Sequence, residues 1–178
     1  MAAKKPTAAQ LRQACAADAP AMVAMLRQAA HDGMLGIDAG ALDPEREALQ
    51  LANLDLTCRC ALAAATPEGP RGFVLAVRGA PPSLSHTAVV SLVVDHAHRR
   101  QGLGLLLLEG VAAWARAAGV DKLSASVYGR NTAAQGLFTR AGYTLEGVRR
   151  RQLRLGAALD DEWWYGRWPA EGGGRRDG

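Results

Sequence analysis

The chain has 178 residues and a formal net charge of +4, from 21 Lys and Arg against 17 Asp and Glu, a length that suits one domain. With 49% hydrophobic and 21% charged residues it is far from the polar, highly charged regime of disordered chains. Its 20 Gly and eight Pro follow no period, which excludes a collagen-like chain, a solenoid or a propeller, and the mild basic excess points to an anionic partner.

Residues 1–10 hold two lysines with no apolar stretch after them, so no secretory leader is expected and a cytoplasmic setting is. Leu11 to Cys15 reads as a short strand, and Asp18 as the cap of a helix whose apolar face is Met22, Met25, Leu26 and Ala29. His31 to Gly40 reads as an irregular connection, and Asp43-Pro44 opens a second helix. Thr57 to Thr66 and Gly72 to Val77 are strand-like and joined by Pro67-Glu68-Gly69-Pro70, which predicts an antiparallel hairpin. The three cysteines, Cys15, Cys58 and Cys60, lack a second pair or a His at ligand spacing. They read as small buried residues, with no metal expected.

Val89 to Val94 is a near-continuous β-branched run, the pattern of a strand covered on both faces. Gly102 to Ala118 reads as a helix with Leu103, Leu106, Leu107, Gly110 and Trp114 along one side and Gly119 at its end. Its run Leu103 to Leu108 is the longest strongly apolar one, far short of the ~20 residues a membrane span needs. Leu123 to Val127 is a further strand, so Val89 to Val127 forms a strand–helix–strand unit with a right-handed crossover between parallel neighbours. Asn131 caps a helix with Ala134, Leu137, Phe138 and Ala141 on one face, ended by Gly142. Tyr143 to Val148, Gln152 to Leu155 and Glu162 to Tyr165 read as short final strands. Residues 1–168 are expected to form one domain and the tail at 169–178 to be disordered.

The turn Arg99-Arg100-Gln101-Gly102-Leu103-Gly104 falls between a buried strand and a long helix. Backbone N–H groups at a helix start lack intrahelical partners, and the helix dipole adds positive potential there. Two glycines remove Cβ atoms that would hold a phosphate away, and two arginines add forked donors. A dinucleotide fold needs a third Gly where Leu107 stands, and a P-loop needs a Lys that this segment lacks.

These residues resemble the GCN5-related N-acetyltransferase (GNAT) family. Its Arg/Gln-x-x-Gly-x-Gly/Ala motif is matched by Arg99, Gly102 and Gly104, and its later Asn-x-x-Ala-x-x-Leu-Tyr block, followed by Gly-Phe/Tyr, by Asn131, Ala134, Leu137, Phe138, Gly142 and Tyr143. The likeness runs from about Ser91 to Arg149. It implies an α+β (α/β sandwich) fold, with a mixed, mostly antiparallel sheet of six to seven strands, a splayed parallel pair, and helices on both faces. It also implies acetyl-CoA as co-substrate and acetyl transfer to a primary amine, either a small molecule or a protein N-terminal amine, with no membrane partner. The pantetheine would pair with Leu92, Val93 and Val94, the pyrophosphate would rest on Arg100 to Gly104, and Asn131 and Phe138 would lie at the cofactor. A backbone N–H near Val93 or Val94 would hold the oxyanion.

The chain also departs from the family's pattern. Phe138 stands where many members carry a Tyr that protonates the leaving thiolate, and Ser126 and Ala88 stand where members place a Glu base. Tyr128 and Tyr143 remain as candidate acids. His86 remains as a candidate base, with a water relay as its equal. A catalytically weak acyl-CoA-binding or sensor protein is therefore the alternative function. The run Arg149-Arg150-Arg151 with Arg154 reads as a solvated edge, a cofactor contact, a homodimer surface or, as the fallback, a nucleic-acid surface. Asp160-Asp161-Glu162 could attract a cationic amine, and Trp163, Trp164 and Trp168 would pack the last strand against the core or a second subunit.

Overall fold

A computed structural model describes residues 9–169, so the expectation for the tail beyond Pro169 lies outside the described residues. Seven strands form one sheet in the order β1-β2-β3-β4-β5-β7-β6. They are β1 (Gln10–Gln13), β2 (Arg59–Thr66), β3 (Gly69–Arg78), β4 (Thr87–Val94), β5 (Lys122–Tyr128), β6 (Thr144–Leu155) and β7 (Ala158–Arg167). Every pairing is antiparallel except β4 with β5, the two strands linked through the long helix as a crossover requires. Helices α1 (Ala19–His31) and α2 (Pro44–Ala52) cover one face, and α3 (Leu103–Ala118) and α4 (Thr132–Arg140) the other.

Two apolar layers hold this arrangement. On one face α3 buries Leu107, Leu108, Val111 and Ala115 against Val74, Val90, Leu123 and Ala125. On the other, Met22 and Ala29 of α1 and Leu51 of α2 pack on Ala61, Ala63, Phe73 and Val93. The expected stripe of α3 is thus rotated: Leu108 and Val111 are buried, whereas Leu106 and Trp114 are only partly so. Trp114 reaches the helix flank, where its indole N–H donates to Leu56 O at 2.8 Å.

Asp18 sits at the N-cap position of α1 but makes no side-chain cap bond. It is 4% exposed and accepts both Arg12 guanidinium N–H groups, at 2.7 and 2.8 Å, with the Cys15 N–H at 2.9 Å. A fork-to-carboxylate pair outcompetes a single cap bond. It holds the carboxyl below its ordinary range, the Arg12 hydrogen bond being the largest cause. Asp43 does cap α2, accepting from Glu45 N–H at 3.0 Å.

Several sequence expectations need correction. Cys15 and Cys58 are exposed and only Cys60 is buried, because the strand starts at Arg59 and leaves Cys58 in the preceding turn. Strand β4 is not covered on both faces: Val89 is 48% exposed and Ser91 is open, since α1 and α2 stop short of its first half. The separate final strands merge into a long β6–β7 hairpin, whose register slips between Leu145 and Gly147 and between Arg149 and Leu153. Irregularities of this kind interrupt the alternation that reads as a strand in sequence.

Candidate functional site

Strands β4 and β5 pair only at Thr87/Lys122, Ala88/Leu123 and Val89/Ser124. Beyond that point they part, so the C-terminal half of β4 presents an edge in the middle of the sheet. On its other side β4 stays bonded to β3 up to the Asp95 N–H to Arg71 O bond at 2.9 Å. Antiparallel alternation then turns the N–H groups of Ser91, Val93 and Asp95 toward β3, and those of Leu92 and Val94 into the gap. Val93 instead buries its side chain under α1 and α2. Of the three edge residues read from sequence, Leu92 and Val94 carry the free groups.

The chain leaves β4 through a turn capped by Asp95, which also holds His98 Nδ1 at 2.7 Å. Arg99 folds back, its Nε donating to Val94 O at 3.2 Å, and so closes the strand end. Arg100, at φ 63°, and Gly102, at φ 83°, both adopt the left-handed conformation, which Gly adopts without cost and Arg does not. The first intrahelical bond of α3 runs from Leu106 N–H to Gly102 O, at 3.1 Å, and the N-cap offers no side-chain acceptor. The N–H groups of Leu103, Gly104 and Leu105 therefore precede any helical partner. A Cβ on Gly102 would meet nothing within 4 Å, whereas one on Gly104 would strike Leu137 Cδ2 at 2.6 Å. The two glycines thus serve different ends. Gly102 gives the turn its conformation and leaves it open, while Gly104 lets α3 approach α4.

Asn131 caps α4, its side chain accepting from Ala134 N–H at 3.1 Å. Phe138 is 5% exposed and packs edge-on to Tyr143, centroids 5.0 Å apart, and flat against Tyr165. Tyr143 is itself a core residue. Among the described residues its hydroxyl has no partner, and burial pushes its ionisation far above the ordinary tyrosine range. Tyr128 lies on β5 beyond its pairing with β4, though still paired with Glu162 of β7. Its hydroxyl stands so close to Gly36 that a Cβ there would overlap it. Burial first, then the charges of Glu162 and Asp160, raise its pKa. His86 is exposed and precedes β4, its carbonyl accepting from Asp121 and Lys122 N–H. Strand geometry separates it by ~20 Å from Tyr128, so the two candidate catalytic side chains do not converge.

The acidic run at the start of β7 is neutralised by arginines. Asp160 pairs with Arg130 at 3.0 Å, Asp161 with Arg150 at 2.7 Å and Glu162 with Arg149 at 3.2 Å. The neighbouring Arg151 N–H also donates to Asp161, at 2.8 Å. Trp163 faces the α3 layer, Trp164 lies on the opposite face under the Arg149 guanidinium, and Trp168 is 41% exposed beside Lys122. A cleft of about 640 Å³, lined by Gln28, Asp32, Met34, Asp95 and Arg99 among others, opens beside the glycine turn. Among the described residues no three His, Cys, Asp or Glu side chains gather as a metal site would need, and no helix is long and apolar enough to cross a membrane.

A parted parallel pair that leads into an open helix N-terminus suits an extended ligand with a phosphate group. The acetyltransferase (GNAT) family model matches residues 25–143, and the chain belongs to that family. Among solved structures, the GNAT acetyltransferase of Streptococcus pneumoniae shares 25% identity with a TM-score of 0.80, over 89% of this chain and 98% of that one. The yncA acetyltransferase of Salmonella typhimurium with its cofactor acetyl-CoA superposes at 0.84, with 19% identity over 94% and 98%. A phosphinothricin acetyltransferase of Sinorhizobium meliloti in complex with acetyl-CoA gives 0.82, with 18% identity over 91% and 89%. The fold is thus the GNAT fold and the enzyme class acetyltransferase.

Proposed function

We propose that the protein transfers the acetyl group of acetyl-CoA to a primary amine, a small molecule or a protein N-terminus, by direct attack of the amine on the thioester. The observation that carries this reading is the parting of β4 and β5 after Val89 and Ser124, which aims the free edge of β4 at the unpartnered N–H groups of α3. Leu92 and Val94 bind the pantetheine amides. Arg100 to Gly104 bind the pyrophosphate through backbone N–H groups and the helix dipole. Asn131 flanks the gap from the α4 side.

Once an uncharged amine attacks the carbonyl carbon, the oxygen gains charge, and the edge N–H of Leu92 or Val94 stabilises it. The carbon–sulfur bond then breaks and CoA leaves as thiolate. A free thiol ionises near pH ~8.5, so departure without a proton is feasible. Tyr128 is the candidate acid, because its raised pKa keeps its proton in place. His86 begins three residues before Val89, ~10 Å along the strand, and acts on the amine only through water. Three free thiols, two of them exposed, support a reducing, cytoplasmic setting. Leu145 and Leu159, 46% and 38% exposed on the outer hairpin, support a homodimer.

Mixing the protein with acetyl-CoA and a panel of amines should release free thiol and acetylated amine. No release, together with no rise in melting temperature on adding acetyl-CoA, would overturn the reading. Phe138, buried and without a proton to give, favours the second reading of a weakly catalytic acyl-CoA-binding protein. That reading predicts the melting shift without turnover on any amine.

A further inference from the structure

Residues 32–43, between α1 and α2, hold no element longer than a 3₁₀ turn at Ala39–Ala41, yet their course over the sheet is defined. Asp32 and Met34 line the cleft whose other wall is Asp95, His96 and Arg99, at and beyond the end of β4. Gly33 and Gly36 meet the other side. The Arg130 guanidinium lies 4.0 Å from the place of a Cβ on Gly33, and the Tyr128 hydroxyl stands against Gly36. One short stretch thus touches both banks of the gap that opens between β4 and β5, and crosses it as a strap.

Little else holds this strap down. Leu35 packs on the layer under α1 and α2, and Met34 N–H donates to Ala29 O at 2.9 Å. Arg27 of α1 ties the far end, donating to Leu42 O at 2.7 Å. Among the described residues, Leu35, Gly36 and Ile37 make no backbone-to-backbone hydrogen bond, and Gly36 and Ile37 are exposed. A stretch with so few bonds opens at low cost, so the contact with Tyr128 weighs heavily in where it rests. The far bank is firm. Tyr128 pairs with Glu162 of β7, and its carbonyl accepts the Asn131 N–H at 2.9 Å.

The fit at that contact is specific. Gly36 has no positive φ, so its backbone would accept an L side chain. What forbids one is the hydroxyl, which a Cβ would overlap, whereas the ring carbon bearing it would stand at 3.4 Å, an ordinary contact. Glycine is needed at position 36 because a tyrosine faces it, and phenylalanine there would lift the constraint.

We propose that Tyr128 is a positioning residue whose hydroxyl seats Gly36 and so latches residues 32–43 across the parted strands, a strap that covers the thioester during transfer and lifts to admit the amine. This rests on the acetyltransferase reading above. A seated strap keeps bulk water from the thioester and confines the amine, as closure of a site does. The role is separate from proton donation by the same hydroxyl, since a latch works by shape and an acid by its proton.

The test makes Gly36→Ala and Tyr128→Phe in the full chain, alone and together. Hydrogen exchange over residues 33–41 reports the strap. Steady-state kinetics with acetyl-CoA and either spermidine or alaninamide, whichever the wild type acetylates faster, report its use. Gly36→Ala should speed exchange in that stretch at least about tenfold. It should raise KM for the amine at least about fivefold, with KM for acetyl-CoA changed by less than about twofold. Adding Tyr128→Phe should return exchange and the amine KM to within about twofold of wild type, because the methyl takes the room that the hydroxyl leaves. Recovery of exchange and KM with a kcat that stays low would support the latch and assign proton donation to the hydroxyl as well. Unchanged exchange or unchanged amine KM in Gly36→Ala would overturn the proposal, as would a double variant as loose as the single one. If Gly36→Ala folds poorly, the double variant decides by the same signs. Turnover of neither amine by the wild type would overturn the strap's part in transfer, and the reading beneath it is judged separately, by whether acetyl-CoA raises the melting temperature.

Discussion

The donor side and the acceptor side of this molecule are built by different means. On the donor side the parts that would meet a ligand are main-chain groups: the edge of β4, the left-handed turn at Arg100 and Gly102, and the free N–H groups opening α3. All of it comes from one continuous stretch, Thr87 to Leu105. On the acceptor side the floor is made of side chains drawn from β3, β4, β5, β6 and β7, with the segment around Gly36 closing one end against Tyr128. Backbone recognition needs only a few glycines at set spacing and leaves the rest of the sequence free. Side-chain recognition from five strands leaves no local pattern at all.

The sharpest way to break the donor side is Gly102→Glu. A Cβ at that position meets nothing, so the fold should survive apart from the left-handed cost of about 1–2 kcal/mol. The carboxylate, however, would stand where phosphate oxygens are to lie. We expect acetyl-CoA affinity to fall at least 100-fold, about 3 kcal/mol, by calorimetric titration, with circular dichroism unchanged. Full affinity in this variant would move the anion site elsewhere.

Gly104→Leu tests the division of labour between the two glycines. Its side chain would collide with Leu137, and overpacking of this kind costs about 1–3 kcal/mol. The loss should appear as a lower midpoint in urea. At saturating acetyl-CoA the turnover per folded molecule should change much less than in Gly102→Glu. A defect in cofactor binding without loss of stability would return Gly104 to the phosphate site.

On the acceptor side the corresponding anchor is Asp18, which ties the start of α1 to β1 and so fixes the helix that leads into the Gly36 segment. Asp18→Asn should destabilise by about 1–3 kcal/mol, the range for charge-assisted hydrogen bonds. Because its folded pKa is depressed, the contribution is fully present above the unfolded value of ~3.9 and is lost as pH falls through the folded one. The melting temperatures of wild type and variant should therefore differ at pH 7, begin to converge only below about pH 4, and meet once the pH is under the depressed folded value. A constant difference at low pH would assign the loss to packing instead.

The same contrast explains what could be read from the residues alone. Arg99, Gly102 and Asn131 were legible because each does its work through the backbone next to it, by a turn, a cap or a strand end. The parallel pair followed from one crossover. The stripe on α3 was misread because Leu105 to Leu108 offers apolar residues in every direction, and only the sheet below selects Leu107 and Leu108. The final hairpin was divided because its register slips at two places. Trp164 could be assigned to packing but not to an orphan donor, since nothing local reveals that its nitrogen meets no acceptor among the described residues.

The smallest expected effect concerns the arginine run, the feature most open to a nucleic-acid reading. Glu162 takes Arg149 and Asp161 takes Arg150, while Asp160 takes Arg130 from outside the run, so two of the four arginines that look surplus in sequence are neutralised within the hairpin. Arg150 is 76% exposed at its side chain while Asp161 is 23% exposed. Such a surface pair is worth about 0–1 kcal/mol, and Asp161 keeps the Arg151 N–H when Arg150 is gone. Arg150→Ala should therefore lower stability by no more than about 0.5 kcal/mol and leave acetyl-CoA affinity within about twofold, because the pair lies far along the hairpin from the α3 turn. A larger drop in affinity would show that the run reaches the cofactor. Salt-dependent RNA binding that this change abolishes would show that the acids do not neutralise it.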